Sequence, residues 1–244
     1  MPECVEKRMA DRFLTTRWSL VLAAAKSDER SSEALEWLCT TYWPPLYAFI
    51  RRQGHDSETA RDLTQSFFVS LLDRDSLRRI DPAEGRFRSF LLAAIKNFLA
   101  HERDRQHALK RRTDDPEFRL DFEGAEARYL REVTIGASPE EIYESRWART
   151  MLDRALRRLG EEHEATGKGE MYRCLSGCLT GEEIDYGRAA IRLGMTQGAL
   201  RVAVHRLRRR LGVLLRAEVA HTVADPNDVK GEVKYLVQAI GRST

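Results

Sequence analysis

Apolar residues recur every three or four positions through nearly the whole chain, and no alternating strand pattern persists. Thr16 is placed to cap a helix running through Trp18 and Leu22. A second helix after Ser31 carries Leu35, Leu38, Tyr42 and Leu46 toward a core, and Pro44 and Pro45 should kink or interrupt it. The aromatic stretch TTYWPPLYAFI reads as packing for a helical bundle. A third helix, DSETARDLTQSFFVSLLDR, has Asp56 or Ser57 as its cap. Leu63, Phe67, Leu71 and Leu72 lie along one side, and Asp62, Gln65 and Ser66 occupy much of the rest. The stretch around Asp81, Pro82 and Gly85 is turn-rich and reads as a loop.

A long helix, GRFRSFLLAAIKNFLAHERDRQHALKRR, follows with a core stripe of Phe87, Phe90, Leu91, Ala94, Ile95, Phe98 and Leu99. Arg86, Arg88, Lys96, Asn97, His101, Arg103 and Arg105 line its other surfaces, and it runs out in Lys110, Arg111 and Arg112. Positive charge over that length suits a phosphate backbone. It equally suits a solvated helix whose basic C-terminus satisfies the helix dipole. From Thr113 to about Gly136 the periodicity fades and the charge reverses, with Asp114, Asp115, Glu117, Asp121, Glu123 and Glu126 against Arg119 and Arg128. This predicts an acidic linker. Ser138, Pro139, Glu140 and Glu141 then open a helix with a cap, a first-turn proline and a capping-box glutamate. Its buried side is expected to hold Ile142, Trp147, Met151, Leu152, Ala155, Leu156 and Leu159.

The strongest local pattern is YGRAAIRLGMTQGALRVAVHRLRRRLGVLL, beginning at Tyr186. Tyr186, Ala189, Ala190 and Leu193 make one short amphipathic helix. Gly194 sits where a positive φ is needed to leave it, and Thr196 can cap a second helix. Leu200, Ala203, Val204, Leu207, Leu211 and Leu214 share one face of that helix. Gly198, Arg201, Val202, His205 and Arg209 share the other, with Arg206 and Arg208 on the flanks. A small alanine, a turn glycine and a locking leucine make a helix-turn-helix. No acid interrupts residues 196–216, whereas a merely solvated face would mix signs, so the reading is a helix for the DNA major groove. Beyond it, Asp225, Pro226, Asn227 and Asp228 open a last helix with Val229, Val233, Leu236, Val237 and Ile240 on one face. That stripe is expected to dock on the chain's own second domain rather than on a partner.

The 244 residues suit an all-α fold of two helical domains, and the net charge is only +3, so segregation of charge says more than its total. The domains are placed at residues 1–112 and 138–216, with the acidic linker at 113–137 and a C-terminal helical extension at 217–244. No apolar run approaches a membrane span and the start lacks a signal-peptide core, so a cytoplasmic protein is expected. Cys4, Cys39, Cys174 and Cys178 lack a second ligand pair at zinc spacing, even with His163 nearby. They read as reduced thiols, with neither metal nor cofactor expected.

With these segments in order, residues 13–112 and 138–216 resemble a bacterial RNA polymerase sigma factor of the extracytoplasmic-function group. ARDLTQSFFVSLL resembles the helix that grips the β′ clamp helices, which implies core binding by Asp62, Gln65, Phe68 and Leu72. GRFRSFLLAAIKN resembles the segment that opens the promoter at its minus-ten element. That implies non-template-strand contacts by Arg86, Arg88, Lys96, Asn97, His101 and Arg105, with the loop 75–85 helping to select an unstacked base. The helix-turn-helix resembles the minus-thirty-five-binding domain, with Thr196, Gln197, Arg201, Val202, His205, Arg206 and Arg209 on the duplex. The acidic linker would pass through the polymerase channel with its carboxylates in place of RNA phosphates. The implied partners are promoter DNA and the polymerase core, both β′ and β subunits, with an anti-sigma factor or a serine/threonine kinase as regulator. No catalytic residue is implied.

Several departures from the family pattern stand out. Thr59-Ala60-Arg61-Asp62 replaces two expected acids, and a phosphate on Thr59 or Thr64 would restore about −1.5 to −2 charges there. Phe90 stands where tryptophan is common, Ala93 where a basic residue is common, and Val202-Ala203 where a more polar pair is common. The start TTRWSL and the C-terminal helix resemble a subgroup linked to serine/threonine-kinase signalling. Two rivals remain at this level. A stand-alone repressor or activator would explain the helix-turn-helix but neither the basic helix nor the acidic linker. A metal-dependent hydrolase built on His101, Glu102, Asp104 and His107 is disfavoured by the interleaved Arg103 and Arg105.

Overall fold

A computed structural model of the chain describes residues 29–72, 86–106, 121–132 and 136–242. The expected helix at Thr16, the loop 75–85, the basic run 110–112 and Cys4 lie outside them. The described residues are all-α, with no strand beyond an isolated antiparallel bridge between Arg86 and Val223. None of their helices is long and apolar enough to cross a membrane. The α-helices are α1 (Glu29–Arg52), α2 (Ser57–Leu72), α3 (Phe87–Gln106), α4 (Phe122–Glu132), α5 (Pro139–Ala165), α6 (Gly169–Leu175), α7 (Tyr186–Leu193), α8 (Gln197–Ala220) and α9 (Val229–Gly241). They divide between two compact units, Met1–Thr150 with Ala220–Thr244, and Met151–Val219. The division falls within α5 and at the end of α8, rather than at an acidic linker.

In the first unit α1 is the centre. It runs on through Pro44 and Pro45, where the sequence predicted a kink or an interruption. The physical reason is burial: Tyr42, Trp43, Leu46, Tyr47, Ala48, Phe49 and Ile50 are each 5 % exposed or less, which covers the helix on all sides. Each of the large side chains among them contributes roughly 1.5–3 kcal/mol on burial, enough to offset the two backbone donors that the prolines lack. Around it pack Leu63, Phe67, Phe68 and Leu71 of α2, and Phe87, Leu91, Ile95 and Leu99 of α3. Tyr42 meets Phe87 edge-on at 5.0 Å, and Phe67 meets Phe98 at 5.6 Å.

The predicted linker holds a helix that the fading periodicity did not announce. Phe122, Ala125 and Tyr129 of α4 repeat at helical spacing and are buried. The Phe122 ring lies 4.9 Å from Trp43 and 5.7 Å from Tyr47 of α1. Glu126 accepts hydrogen bonds from the Tyr47 hydroxyl at 2.6 Å and from the Arg51 Nε at 3.0 Å, so this acid serves α1. The acids at 114, 115 and 117 lie outside the described residues. The C-terminal segment also differs from expectation, because it belongs to the first unit and docks there, not on the second domain. Glu232, Leu236 and Ala239 are the buried positions of α9, while Val237 of the predicted stripe is exposed.

In the second unit α7 is capped by Asp185, whose carboxylate accepts the Gly187 and Arg188 backbone N–H groups. Gly194 leaves it at φ 61°, as the turn requires. The Thr196 hydroxyl accepts the Ala199 backbone N–H at the start of α8. Leu200, Val204, Leu207, Leu211 and Leu214 turn inward with Met151, Ala155 and Leu159 of α5 among the buried residues. Glu218, also buried, is held by Arg154 at 3.2 Å. In the first unit, the capping box at the start of α5 forms as read, with the Ser138 backbone N–H donating to Glu141 and the Glu141 backbone N–H to the Ser138 hydroxyl.

Leu200 is fully buried, so Leu200→Ala should lower the unfolding free energy of this unit by about 2–5 kcal/mol, read by urea denaturation followed by circular dichroism. The Arg51 hydrogen bonds hold the Glu126 carboxyl below its ordinary 4.5 in the folded chain. Its contribution to stability is therefore present above that value and lost as pH falls toward the lowered one. Thermal unfolding measured from pH 7 downward should show wild type losing its advantage over Glu126→Gln only on the acid side of that value.

Candidate nucleic-acid and polymerase interface

The helix-turn-helix presents its polar side as a continuous strip. Thr196, Gln197, Arg201, Val202, His205, Arg206 and Arg209 are all exposed, while Leu200, Ala203, Val204 and Leu207 between them turn inward. Arg201, His205 and Arg209 follow at intervals of four, so at the α-helical rise they span about 12 Å along one side, close to the width of a major groove. Arg201 lies over the Tyr186 ring at 5.9 Å, which steadies its stem from α7. Two other arginines of α8 are committed to protein: Arg208 donates to the Cys178 carbonyl at 3.3 Å, and Arg210 forms a two-point pair with Glu162 at 2.6 and 2.8 Å. They tie the flanks of α8 to its own unit and leave the central strip outward. Ile191, at 85 % exposed, and Val202, at 50 %, are large apolar residues on the same motif.

On α3 the outcome is different. Asn97 and His101 are exposed as read, and the Arg105 side chain lies outside the described residues. Lys96 is exposed too, but sits 2.6 Å from the Glu140 carboxylate of α5. Arg88 was expected on a DNA-facing surface and is instead buried at 5 % exposure. Its Nε donates to Glu232 of α9 and its Nη1 to Glu144 of α5 at 3.4 Å. Its guanidinium lies 4.0 Å from the Tyr235 ring and 5.3 Å from the Trp147 ring. Burial disfavours its charge, but the Glu232 carboxylate more than offsets this and holds the group above its ordinary range. The Glu144 side is felt as well: burial and the hydrogen bond to Glu144 push Tyr235 up to about 12. Arg86 is half-exposed and meets the other oxygen of Glu232 at 3.0 Å. In this arrangement both arginines are engaged by a carboxylate of the same chain, because a buried carboxylate that has left water requires cationic partners.

On α2 the structure separates the four residues read as polymerase contacts. Asp62 is exposed and Gln65 half-buried, while the Leu72 side chain is outside the described residues. Phe68 is only 1 % exposed, edge-on to Phe67 at 5.8 Å, and belongs to the core between α1 and α2 rather than to an outer surface. The two threonines separate in the same way. Thr64 is fully buried and its hydroxyl donates to the Ala60 carbonyl at 2.6 Å, which closes it to a kinase. Thr59 is half-buried in the first turn, where its backbone N–H donates to the Asp56 cap at 2.7 Å.

Sequence reading missed Glu140, Glu144 and Glu232, the three carboxylates that hold α3. One signal was available for Glu232: an acid placed at helical spacing from Leu236 and Ala239 can be buried only against a cation. Nothing in one sequence indicated which cation.

Residues 22–109 match the family model described as Sigma-70 region 2. No curated protein and no solved structure matches the chain. The matched stretch contains α1, α2 and α3, and with them the residues read from the sequence as core-binding and promoter-opening. Through this region 2, the match supports a sigma factor of the sigma-70 family that binds RNA polymerase core and melts promoter DNA.

Proposed function

We propose that the chain is a promoter-specificity factor of the extracytoplasmic-function type, with region 2 working at the minus-ten element and the helix-turn-helix at the minus-thirty-five element. The observation that carries this is the pairing of a region 2 match with the outward strip Thr196, Gln197, Arg201, Val202, His205, Arg206 and Arg209, which the match does not reach. In this reading Arg201 and Arg206 pair with guanine edges or phosphates, and Val202 packs on a thymine methyl. Asn97 and His101 hold the unpaired non-template strand, and Asp62 and Gln65 meet the basic surface of the β′ clamp. The TTRWSL start and the C-terminal helix support a reading of the chain as one of the kinase-linked subgroup. Thr59 is the modification site left by the burial of Thr64, at the first turn of α2 where a phosphate also meets the helix dipole.

Runoff transcription with purified polymerase core on a genomic promoter library tests the reading. Promoter-directed transcripts should depend on the chain, and their absence overturns it. Arg201→Ala should weaken upstream-duplex recognition by about 1–3 kcal/mol, seen as lost footprint and transcript. Asn97→Ala should preserve that footprint while reducing permanganate reactivity of the opened region.

Thr59→Glu should raise core binding in a pull-down relative to wild type and Thr59→Ala. Equal binding by the three removes Thr59 as the regulatory site.

A further inference from the structure

The acids that hold α3 fall on the residues that DNA would need. Among the described cations read as minus-ten contacts, Arg86, Arg88 and Lys96 each rest against a carboxylate of the same chain. Glu232 takes two of the three, with Arg88 on both of its oxygens and Arg86 on one of them, and is itself 1 % exposed. The arrangement resembles a phosphate clamp already filled, since paired arginines around one anion also grip a phosphodiester. The rest of the C-terminal segment reinforces it. The Thr222 carbonyl accepts the Phe87 backbone N–H at 3.2 Å, at the first residue of α3. Val223 bridges Arg86, His221 meets the Trp37 ring at 5.9 Å, and Tyr235 covers the guanidinium of Arg88. Fixed thus, the start of α3 has its backbone, its arginine charge and its aromatic neighbours all occupied by residues 221–236.

We infer that the C-terminal segment is an internal inhibitor of promoter opening, with Glu232 occupying Arg86 and Arg88 in place of DNA phosphate, so that the strand can bind only when the segment withdraws. The inference rests on the proposed role of α3 at the minus-ten element. It assigns a task to an extension that neither core binding nor the helix-turn-helix requires. The exposed turn at 225–227 lets the segment from α9 onward swing away without breaking α8. Because DNA and segment compete for the same guanidinium groups, each must weaken the other's binding by the same factor. If the closed form holds about nine molecules in ten, removing the clamp raises apparent affinity for a single strand about tenfold.

The test uses the full chain and a short, fluorescein-labelled single-stranded DNA of mixed sequence. Glu232→Gln keeps the shape of the clamp and removes its charge. It should bind the strand about tenfold more tightly, with log affinity falling more steeply against log salt by about 0.7 for each arginine released. Adding Arg88→Gln to it should abolish most of that gain. A folded Glu232→Gln protein, verified by circular dichroism, with unchanged affinity and slope overturns the inference. A second form covers the case in which Glu232→Gln unfolds: a protease site placed in the 225–227 turn is cut after folding, and the strand is titrated in. Displacement of the cut peptide by DNA is the expected result, and a peptide that stays bound at saturating DNA overturns the proposal. Runoff transcription separates this from the parent reading. Wild type and Glu232→Gln transcribing equally well removes the clamp alone, whereas neither form directing any transcript removes the sigma-factor reading and the clamp with it.

Discussion

A helix that is apolar on every side has to be surrounded, and α1 imposes that requirement on the first unit. Between Trp37 and Ile50 its side chains bury ring after ring, and only tertiary neighbours can cover so much surface. Helices α2 and α3 supply the amphipathic stripes, and α4 covers a further side through Phe122, Ala125 and Tyr129. Their outer faces are what remains for polymerase and DNA. The packing around α1 decides which of the proposed contact residues stay outside: Asp62, Asn97 and His101 remain there, while Phe68 and Thr64 are drawn in.

Electrostatics follows from the same packing. Once the start of α3 is pressed into the bundle, Arg88 loses water, and an unpaired buried guanidinium would be strongly destabilising. Glu232, Glu144 and the rings of Tyr235 and Trp147 resolve this locally. The helix-turn-helix meets the opposite demand. Its apolar side is satisfied by the leucines of α8, and Arg208 and Arg210 are tied down at the flanks. The remaining arginines project from a rigid helix, and a rigid element places side chains more accurately against a duplex than a loop can.

Wherever a residue's environment is set by its own helix, it was legible in the chain. Gly194 at positive φ, the Thr196 cap, the Asp56 cap and the Ser138–Glu141 box are contacts within four residues of sequence, so spacing suffices. The α8 face was legible for the same reason, because its partition depends on helical period alone. The α4 helix was missed because its buried positions are few and its acids dominate the composition, although Phe122, Ala125 and Tyr129 do stand at helical spacing.

By itself the sequence determined an all-helical chain, the helix-turn-helix with its outward arginines, and the order of segments that points to a sigma factor. All of these rest on local periodicity and short-range hydrogen bonds. The tertiary structure alone decided which charges are available. Arg88 and Glu232 are 144 positions apart in sequence, and no periodicity connects them. Whether an arginine meets DNA or a carboxylate of its own chain depends on what else crowds the same volume, which is a property of the folded packing.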